Sequence, residues 1–114
     1  DVARRGVAAL EQGDVAGWIS AVRDFHHHER ELSEQTGVPI VTPTIDAVAR
    51  LAEPLGGAAK ASGAGGGDVV IAFLPDAGRR DAFLAMAVQA GLEVLTLAVA
   101  PHGVLLPAPS ARGR

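Results

Sequence analysis

A cluster of glycines in the second half of the chain is the feature that most restricts its fold. Four of five consecutive residues are glycine, at Gly63, Gly65, Gly66 and Gly67, and the apolar run of residues 69–74 follows almost at once. This β-branched run predicts a buried strand, and the short segment 58–62 ahead of the glycines also suits a strand. Because glycine adopts positive φ without steric cost, the cluster predicts the loop of a hairpin.

The first half of the chain has a helical period instead. Residues 2–12 predict a helix that stops at Gly13, and Asp14 suits the N-cap of a long amphipathic helix that ends near Gly37. Thr42 and Pro43 form a helix-start signal for a third helix, which residues 54–57 terminate.

Beyond the predicted hairpin, residues 79–90 predict a fourth helix and residues 92–99 a last strand. This order predicts an α+β fold in which helices pack on one face of a mostly antiparallel sheet. We expect a single domain over residues 1–106, followed by a flexible tail at residues 107–114.

The amino-acid composition argues against several classes of function. The 114 residues include ten basic and thirteen acidic side chains, for a net charge of -3. Nucleic-acid binding normally needs a basic surface, so we expect no nucleic-acid partner. No apolar run is long enough to span a bilayer, so we expect no membrane partner either. Cysteine is absent, which excludes disulfides and thiolate chemistry. We therefore expect an intracellular, cytoplasmic protein.

The glycine loop, residues 62–68, carries the only motif with chemistry in it. Successive N–H groups in a glycine-rich turn can converge on an anion, and the Ser62 hydroxyl adds another donor. A Walker A loop is excluded because Asp68 and Val69 stand where Lys and Ser or Thr would follow. A dinucleotide fingerprint would open a helix, whereas this loop opens a strand. The alternative is a hairpin loop that binds nothing.

The string Lys-Ala-Ser-Gly-Ala-Gly-Gly-Gly-Asp at residues 60–68 resembles the third conserved motif of the GHMP small-molecule kinases. Within that superfamily it is most similar to the phosphomevalonate kinases, with Asp68 as the discriminating residue. The Thr42-Pro43 helix start and the turn at residues 90–93 also lie where that family has similar segments. One departure is Val69, where the family usually has Cys; a small apolar strand residue should serve as well.

The resemblance implies a ferredoxin-like C-terminal domain of an ATP-dependent enzyme that phosphorylates a small phosphorylated substrate, 5-phosphomevalonate, with Mg2+. It implies that the nucleotide loop and the catalytic acidic residue belong to a missing N-terminal GHMP domain. We therefore expect no catalytic residue in this chain, and no tight binding of ATP or Mg2+ by the chain alone. The alternatives are a mevalonate or sugar kinase of the same superfamily, and a non-catalytic α+β binding or interaction domain.

The resemblance also implies roles for individual residues. Lys60 would add positive potential near the phosphates, with a solvated lysine at a strand edge as its alternative. Asp68 would accept N–H bonds and shape the loop, with a magnesium contact as its alternative. The residues expected to face phosphate are Ser62, Gly63, Ala64, Gly65, Gly66 and Gly67.

Three consecutive histidines, His26, His27 and His28, raise the question of a metal site. Neighbouring residues on a helix point about 100° apart, so the three rings cannot hold one ion together. We expect no metal site in the chain.

Overall fold

The computed structural model describes residues 1–67 and 69–109. Its elements follow the order α1 Val2–Gln12, α2 Val15–Thr36, α3 Pro43–Ala52, a 3-10 turn Glu53–Leu55, β1 Ala58–Ala61, β2 Val70–Phe73 and α4 Ala77–Gln89. The predicted α+β class is confirmed, and the two strands form an antiparallel hairpin with Ala58 opposite Phe73 and Ala61 opposite Val70. No helix within these described ranges combines the length and apolarity required to cross a bilayer.

Local capping explains where the helices begin and end. The Asp14 side chain accepts from the N–H of Gly17 at 2.9 Å and starts α2, while Gly37, at φ 72°, ends it. Thr42 caps α3 through the N–H of Ile45 at 3.3 Å, directly before Pro43. Helix α4 begins two residues earlier than predicted, because Asp76 caps it by accepting from the N–H of Arg79 at 2.8 Å.

The hairpin is covered by helices on both of its faces rather than on one. Ala58 and Phe73 pack with Ile19 and Val22 of α2, and the Phe73 ring meets Trp18 edge to face at 5.3 Å. On the other face, Ala59 lies in a cluster with residues of α3 and α4. Apart from Lys60, both strands are apolar at odd and even positions. Each face therefore needs a cover, and a single layer of helices would leave one face exposed.

Small residues dominate the described core. Eight of its thirteen buried apolar residues are alanine, and the largest fully buried side chain is that of Ile45. The buried alanines are Ala9, Ala21, Ala49, Ala52, Ala58, Ala59, Ala61 and Ala87. Alanine brings helix and strand backbones close together, so α3 lies directly against the hairpin.

The predicted last strand at residues 92–99 is wrong. Leu92 follows the end of α4, its N–H donating to the Ala87 carbonyl, but the segment beyond it forms neither strand nor helix. Leu97 is 80% exposed and Val99 is 96% exposed. Apolar alternation produces a strand only where a neighbouring strand supplies hydrogen bonds, and this segment has no such neighbour in the described structure. The predicted tail falls partly on residues 110–114, which lie outside the described residues.

Candidate functional site

The glycine loop joins β1 to β2, and its backbone conformation explains its composition. Four of its glycines have positive φ, with 82° at Gly65 and 112° at Gly67. A Cβ on Gly65 would overlap the carbonyl oxygen of Ile40, and a Cβ on Gly67 would press against Thr42. Both positions therefore combine a left-handed backbone with close packing, which favours glycine.

The loop is fastened at two points. The N–H of Ser62 extends the β ladder by donating to the Val69 carbonyl at 2.9 Å, and the N–H of Gly66 donates to the Ile40 carbonyl at 3.0 Å. Between these points, the N–H groups of Gly63, Ala64 and Gly65 donate to no residue of the described structure. Gly63 and Ala64 are themselves exposed.

The connector between α2 and α3, residues 38–42, supports the loop and is itself held by one side chain. The Ser33 hydroxyl donates to the Val38 carbonyl at 2.6 Å. Its oxygen accepts from the N–H groups of Ile40 at 3.2 Å and Val41 at 3.4 Å. Ser33 therefore fixes the segment whose Ile40 carbonyl holds Gly66.

Lys60 lies at the base of the loop and reaches toward α2. Its amine donates to the carbonyl of Ala61 and stands 4.8 Å above the centre of the Phe25 ring. A lysine this close to a ring face is attracted by the ring quadrupole. The positive charge is thereby held next to the residue where the loop begins.

Glu29, one turn along α2 from Phe25, brings a carboxyl group toward this lysine. Burial raises the pKa of Glu29, while the positive charges of Lys60 and His26 act in the opposite direction. Its Oε2 atom is buried without a hydrogen-bond partner in the described structure. The protonation of Glu29 therefore alters the net charge beside Lys60.

Asp46 links α2 to α3 beneath the connector. Its Oδ1 lies 3.3 Å from His26 Nε2 and 3.5 Å from the Arg30 guanidinium, and its Oδ2 accepts from Arg50 at 2.7 Å. Burial acts to raise the pKa of Asp46, but the hydrogen bonds from His26 and Arg50 and the charges of Arg50 and Arg30 outweigh it, so the pKa lies below its ordinary value. This cluster anchors the first turn of α3, which Thr42 caps.

The three histidines have three different partners. His26 is buried against Asp46, His27 Nδ1 lies 3.3 Å from Arg30, and His28 lies 3.6 Å from Glu31. Within residues 1–67 and 69–109, no three His, Asp or Glu side chains are grouped so as to hold a metal ion.

The sequence motif identifies the residues of the loop, and the structure adds the residues that support it. The predicted phosphate-facing residues 62–67 form one continuous loop with Lys60 at its base, and Asp68 lies outside the described residues. Sequence reasoning missed Ser33, Ile40 and Asp46, which support the loop from below. Only Thr42, recognised as a helix cap, carried a signal in the sequence, because the other contacts depend on how α2 and α3 meet.

The site is a glycine-rich hairpin loop on an α+β domain, with Gly63 and Ala64 exposed and Lys60 at its base. Residues 7–92, more than half of the chain, match the family described as GHMP kinases C terminal. The chain belongs to this family.

Two relatives refine the comparison. The chain is 42% identical over 81 residues to a phosphomevalonate kinase of Streptomyces sp. (strain CL190), covering 71% of this chain and 22% of that protein. It also resembles the crystal structure of a Lin0012 protein from Listeria innocua, with a TM-score of 0.80 and 28% identity over 83% of this chain and 27% of that one. The chain therefore spans about a quarter of the length of each relative.

Proposed function

We propose that this chain is the C-terminal domain of an ATP-dependent phosphomevalonate kinase. The observation that carries the proposal is the glycine loop, in which Gly63 and Ala64 are exposed and the N–H groups of Gly63, Ala64 and Gly65 have no acceptor in the described structure. The 42% identity to a phosphomevalonate kinase supports the choice of substrate within the superfamily.

The loop would bind phosphate oxygens through backbone donors and the Ser62 hydroxyl. The N–H groups of Ser62 and Gly66 already donate within the protein, and those of Gly63, Ala64, Gly65 and Gly67 have no acceptor among residues 1–67 and 69–109. Phosphoryl transfer depends mainly on positioning and on stabilising charge, and fixed N–H groups do both. Lys60 would add positive potential at the base of the loop, and Asp68 would shape the turn.

In the proposed reaction, a phosphate oxygen of 5-phosphomevalonate attacks the γ-phosphorus of ATP. A diphosphate forms on the substrate, the bond from the γ-phosphorus to the bridging oxygen breaks, and ADP leaves. Mg2+ would neutralise charge on the nucleotide when bound. The nucleotide site, the magnesium ligands and the catalytic acidic residue would belong to the missing N-terminal GHMP domain, and the cytoplasm would supply ATP.

The test is a coupled ADP-release assay on a longer protein that contains this chain together with its N-terminal GHMP domain. With ATP and Mg2+ present, 5-phosphomevalonate should support turnover, whereas mevalonate and galactose should not. Replacing the loop residue Gly66 by Val should abolish that turnover in a protein that circular dichroism shows to be folded.

The other outcomes separate the alternatives. Turnover with mevalonate or with a sugar would keep the superfamily and replace the substrate. A folded longer protein that turns over none of the three compounds would favour a non-catalytic binding domain, and the proposal would be abandoned.

A further inference from the structure

The Lys60 ammonium lies against α2 and makes no hydrogen bond to loop residues 62–67 in the described structure. Alternate side chains of a strand share a face, so Lys60 is on the same side of β1 as Ala58 and Ser62. Ala58 packs against α2. The ammonium follows it, standing 4.8 Å from the centre of the Phe25 ring and donating to the Ala61 carbonyl. The charge that could assist phosphate binding is therefore held at α2.

Glu29 adds a second attraction toward α2. It lies one turn after Phe25, so both side chains are on the same face of the helix. Its carboxylate attracts the Lys60 ammonium but does not bond to it, since Oε2 is buried without a partner and the ammonium donates to Ala61. A lysine ammonium has three donors, and the other two make no hydrogen bond in the described structure. Lys60 is therefore attracted to Glu29 without being bonded to it.

Two groups act on the charge of Glu29. Lys60 faces it from β1, and His26 lies one turn before it on α2. His26 Nε2 lies 3.3 Å from Asp46 of α3, and its Nδ1 is buried without a partner in the described structure. The connector 38–42 and loop residues 62–67 contain no titratable side chain. Among the charged groups that link α2 to its neighbours, Arg5 pairs with Asp24, and Arg30 and Arg50 pair with Asp46.

The unpartnered carboxylate oxygen of Glu29 needs an explanation. A buried oxygen of this kind destabilises the folded state, because it has lost its water and gained no hydrogen bond. Native proteins pair nearly all buried polar atoms, so packing alone does not account for one that stays unpaired. A second anion bound at the glycine loop would compete with Glu29 for the same ammonium. The carboxylate therefore sets how strongly Lys60 can contribute to anion binding.

We propose that Glu29 is a positioning residue for Lys60: its carboxylate holds the ammonium at α2, and a phosphate group bound by the loop draws the ammonium away from it. The reach of the side chain permits this exchange, since Ser62 lies two positions along β1 from Lys60, about 7 Å, and the lysine stem is flexible. The proposal rests on the proposed function, because it takes the phosphate group to be that of 5-phosphomevalonate.

NMR of the Lys60 side chain tests whether Glu29 holds it. Lys60 is the single lysine of the 114-residue chain, so isotope-labelled lysine gives one side-chain ammonium signal. This signal should shift as the pH rises above 4.5, the ordinary pKa of Glu29, and Glu29→Gln should remove that shift. Exposed Glu34→Gln on the same helix is the control and should retain it. A shift that persists in Glu29→Gln would come from another group and would overturn the proposal.

Titration of the same signal with inorganic phosphate tests the exchange. At pH 8, the signal of Glu29→Gln should reach its midpoint at a phosphate concentration at least ~3-fold lower than that of the unchanged chain, because no carboxylate competes for the ammonium. Sodium chloride at matched ionic strength controls for general screening. Equal midpoints in the two chains would overturn the proposal, and so would a Lys60 signal that responds to phosphate in neither.

Steady-state kinetics on the longer protein provide a second measurement. At pH 8, Glu29→Gln should lower KM for 5-phosphomevalonate by ~3- to 10-fold, with a smaller change in kcat. Lys60→Met should raise KM, and adding Glu29→Gln to Lys60→Met should change it no further, because Glu29 acts through the lysine. A lower KM that survives in the Lys60→Met background would mean that Glu29 acts on the phosphate directly, and the proposal would be abandoned.

The two proposals fail separately. A longer protein that does not phosphorylate 5-phosphomevalonate, with a Lys60 signal that follows both Glu29 and inorganic phosphate, would remove the proposed function alone. Turnover of 5-phosphomevalonate with a Lys60 signal that is independent of Glu29 would remove this proposal alone.

Discussion

The N–H of Gly66 donates to the carbonyl oxygen of Ile40 at 3.0 Å, and this bond joins the glycine loop to the connector between α2 and α3. The connector is held in turn by Ser33, which lies in the last turn of α2. The position of the loop is therefore set by helices that are distant from it in sequence, and changes in those helices should be felt at the loop.

Gly66→Val should reduce kcat of the longer protein at least ~100-fold while the fold is retained. Gly66 has φ 93° and open space where a Cβ would stand, so Val would strain the backbone by about 1–2 kcal/mol and cover the donors. Gly91→Val is the matched control, since Gly91 has φ 80° and open space but follows α4, away from the connector that supports the loop. Steady-state kinetics and thermal melts would measure both; equal loss of activity in the two variants would contradict a phosphate-binding loop.

Ser33→Ala should weaken the support of the loop. It removes one donor and one acceptor shared among Val38, Ile40 and Val41, at a cost of about 1–2 kcal/mol in the free energy of unfolding. We also expect the amide signals of Gly65 and Gly66 to shift by NMR. Ser20→Ala on the same helix is the control, because Ser20 makes no side-chain hydrogen bond in the described structure, and Ser33→Thr should restore the signals. Unchanged loop signals in Ser33→Ala would refute the link.

Asp46 should make the chain sensitive to acid. Its pKa is lowered in the folded state, so its stabilising contribution is present above the ordinary value of 3.8 and is lost as the pH falls through the folded pKa. Asp46→Asn should destabilise the chain at pH 7 by about 1–3 kcal/mol, because His26 would lose a charged partner in a buried site. Urea unfolding between pH 3 and pH 7 would measure this loss, and the free energy of unfolding should vary less with pH in Asp46→Asn than in the unchanged chain. Parallel pH profiles of the two proteins would exclude Asp46 as the group responsible.

Glu29 should have the opposite effect on pH dependence. Its pKa is raised by burial, so the folded state binds a proton more readily than the unfolded chain, and stability falls as the pH rises above 4.5 through the folded pKa. Glu29→Gln should therefore raise the thermal midpoint at pH 8 and leave it nearly unchanged at pH 4. Exposed Glu34→Gln on the same helix is the control. An equal gain at both pH values would mean that the carboxylate charge is not the cause.

The 114-residue chain alone should neither bind ATP tightly nor phosphorylate 5-phosphomevalonate. A kinase lowers the barrier by holding nucleotide, magnesium and acceptor in line, and this chain offers one donor loop and one nearby lysine. Loop donors that face water are already hydrated, so binding a phosphate replaces those bonds with little net gain. Calorimetric titration with ATP and an ADP-release assay on the chain would test this. Turnover by the chain alone would place the active site within it.

Local signals in the sequence were sufficient to predict the four helices and the hairpin. Asp14, Thr42 and Gly37 each act through neighbours a few residues away, so their caps could be predicted from spacing. The structure of residues 92–99 could not be predicted in this way, because alternation of apolar and polar residues does not show whether a neighbouring strand lies beside the segment. The support of the loop by Ser33 and Ile40 could not be predicted either, since it depends on the angle at which two helices meet.

The alanine-rich core reverses the usual sensitivity of a small domain to mutation. In most cores, truncating a large side chain is the damaging change, because it leaves a cavity. Here most buried positions have almost nothing to truncate, and Ala59, which is 1% exposed, lies in the cluster between the hairpin, α3 and α4, where a larger side chain would have to displace its neighbours. Enlargement to Val or Leu, which costs about 1–3 kcal/mol when a core is already full, is then the main hazard. The set of substitutions that this domain can accept during evolution is therefore limited by volume more than by polarity.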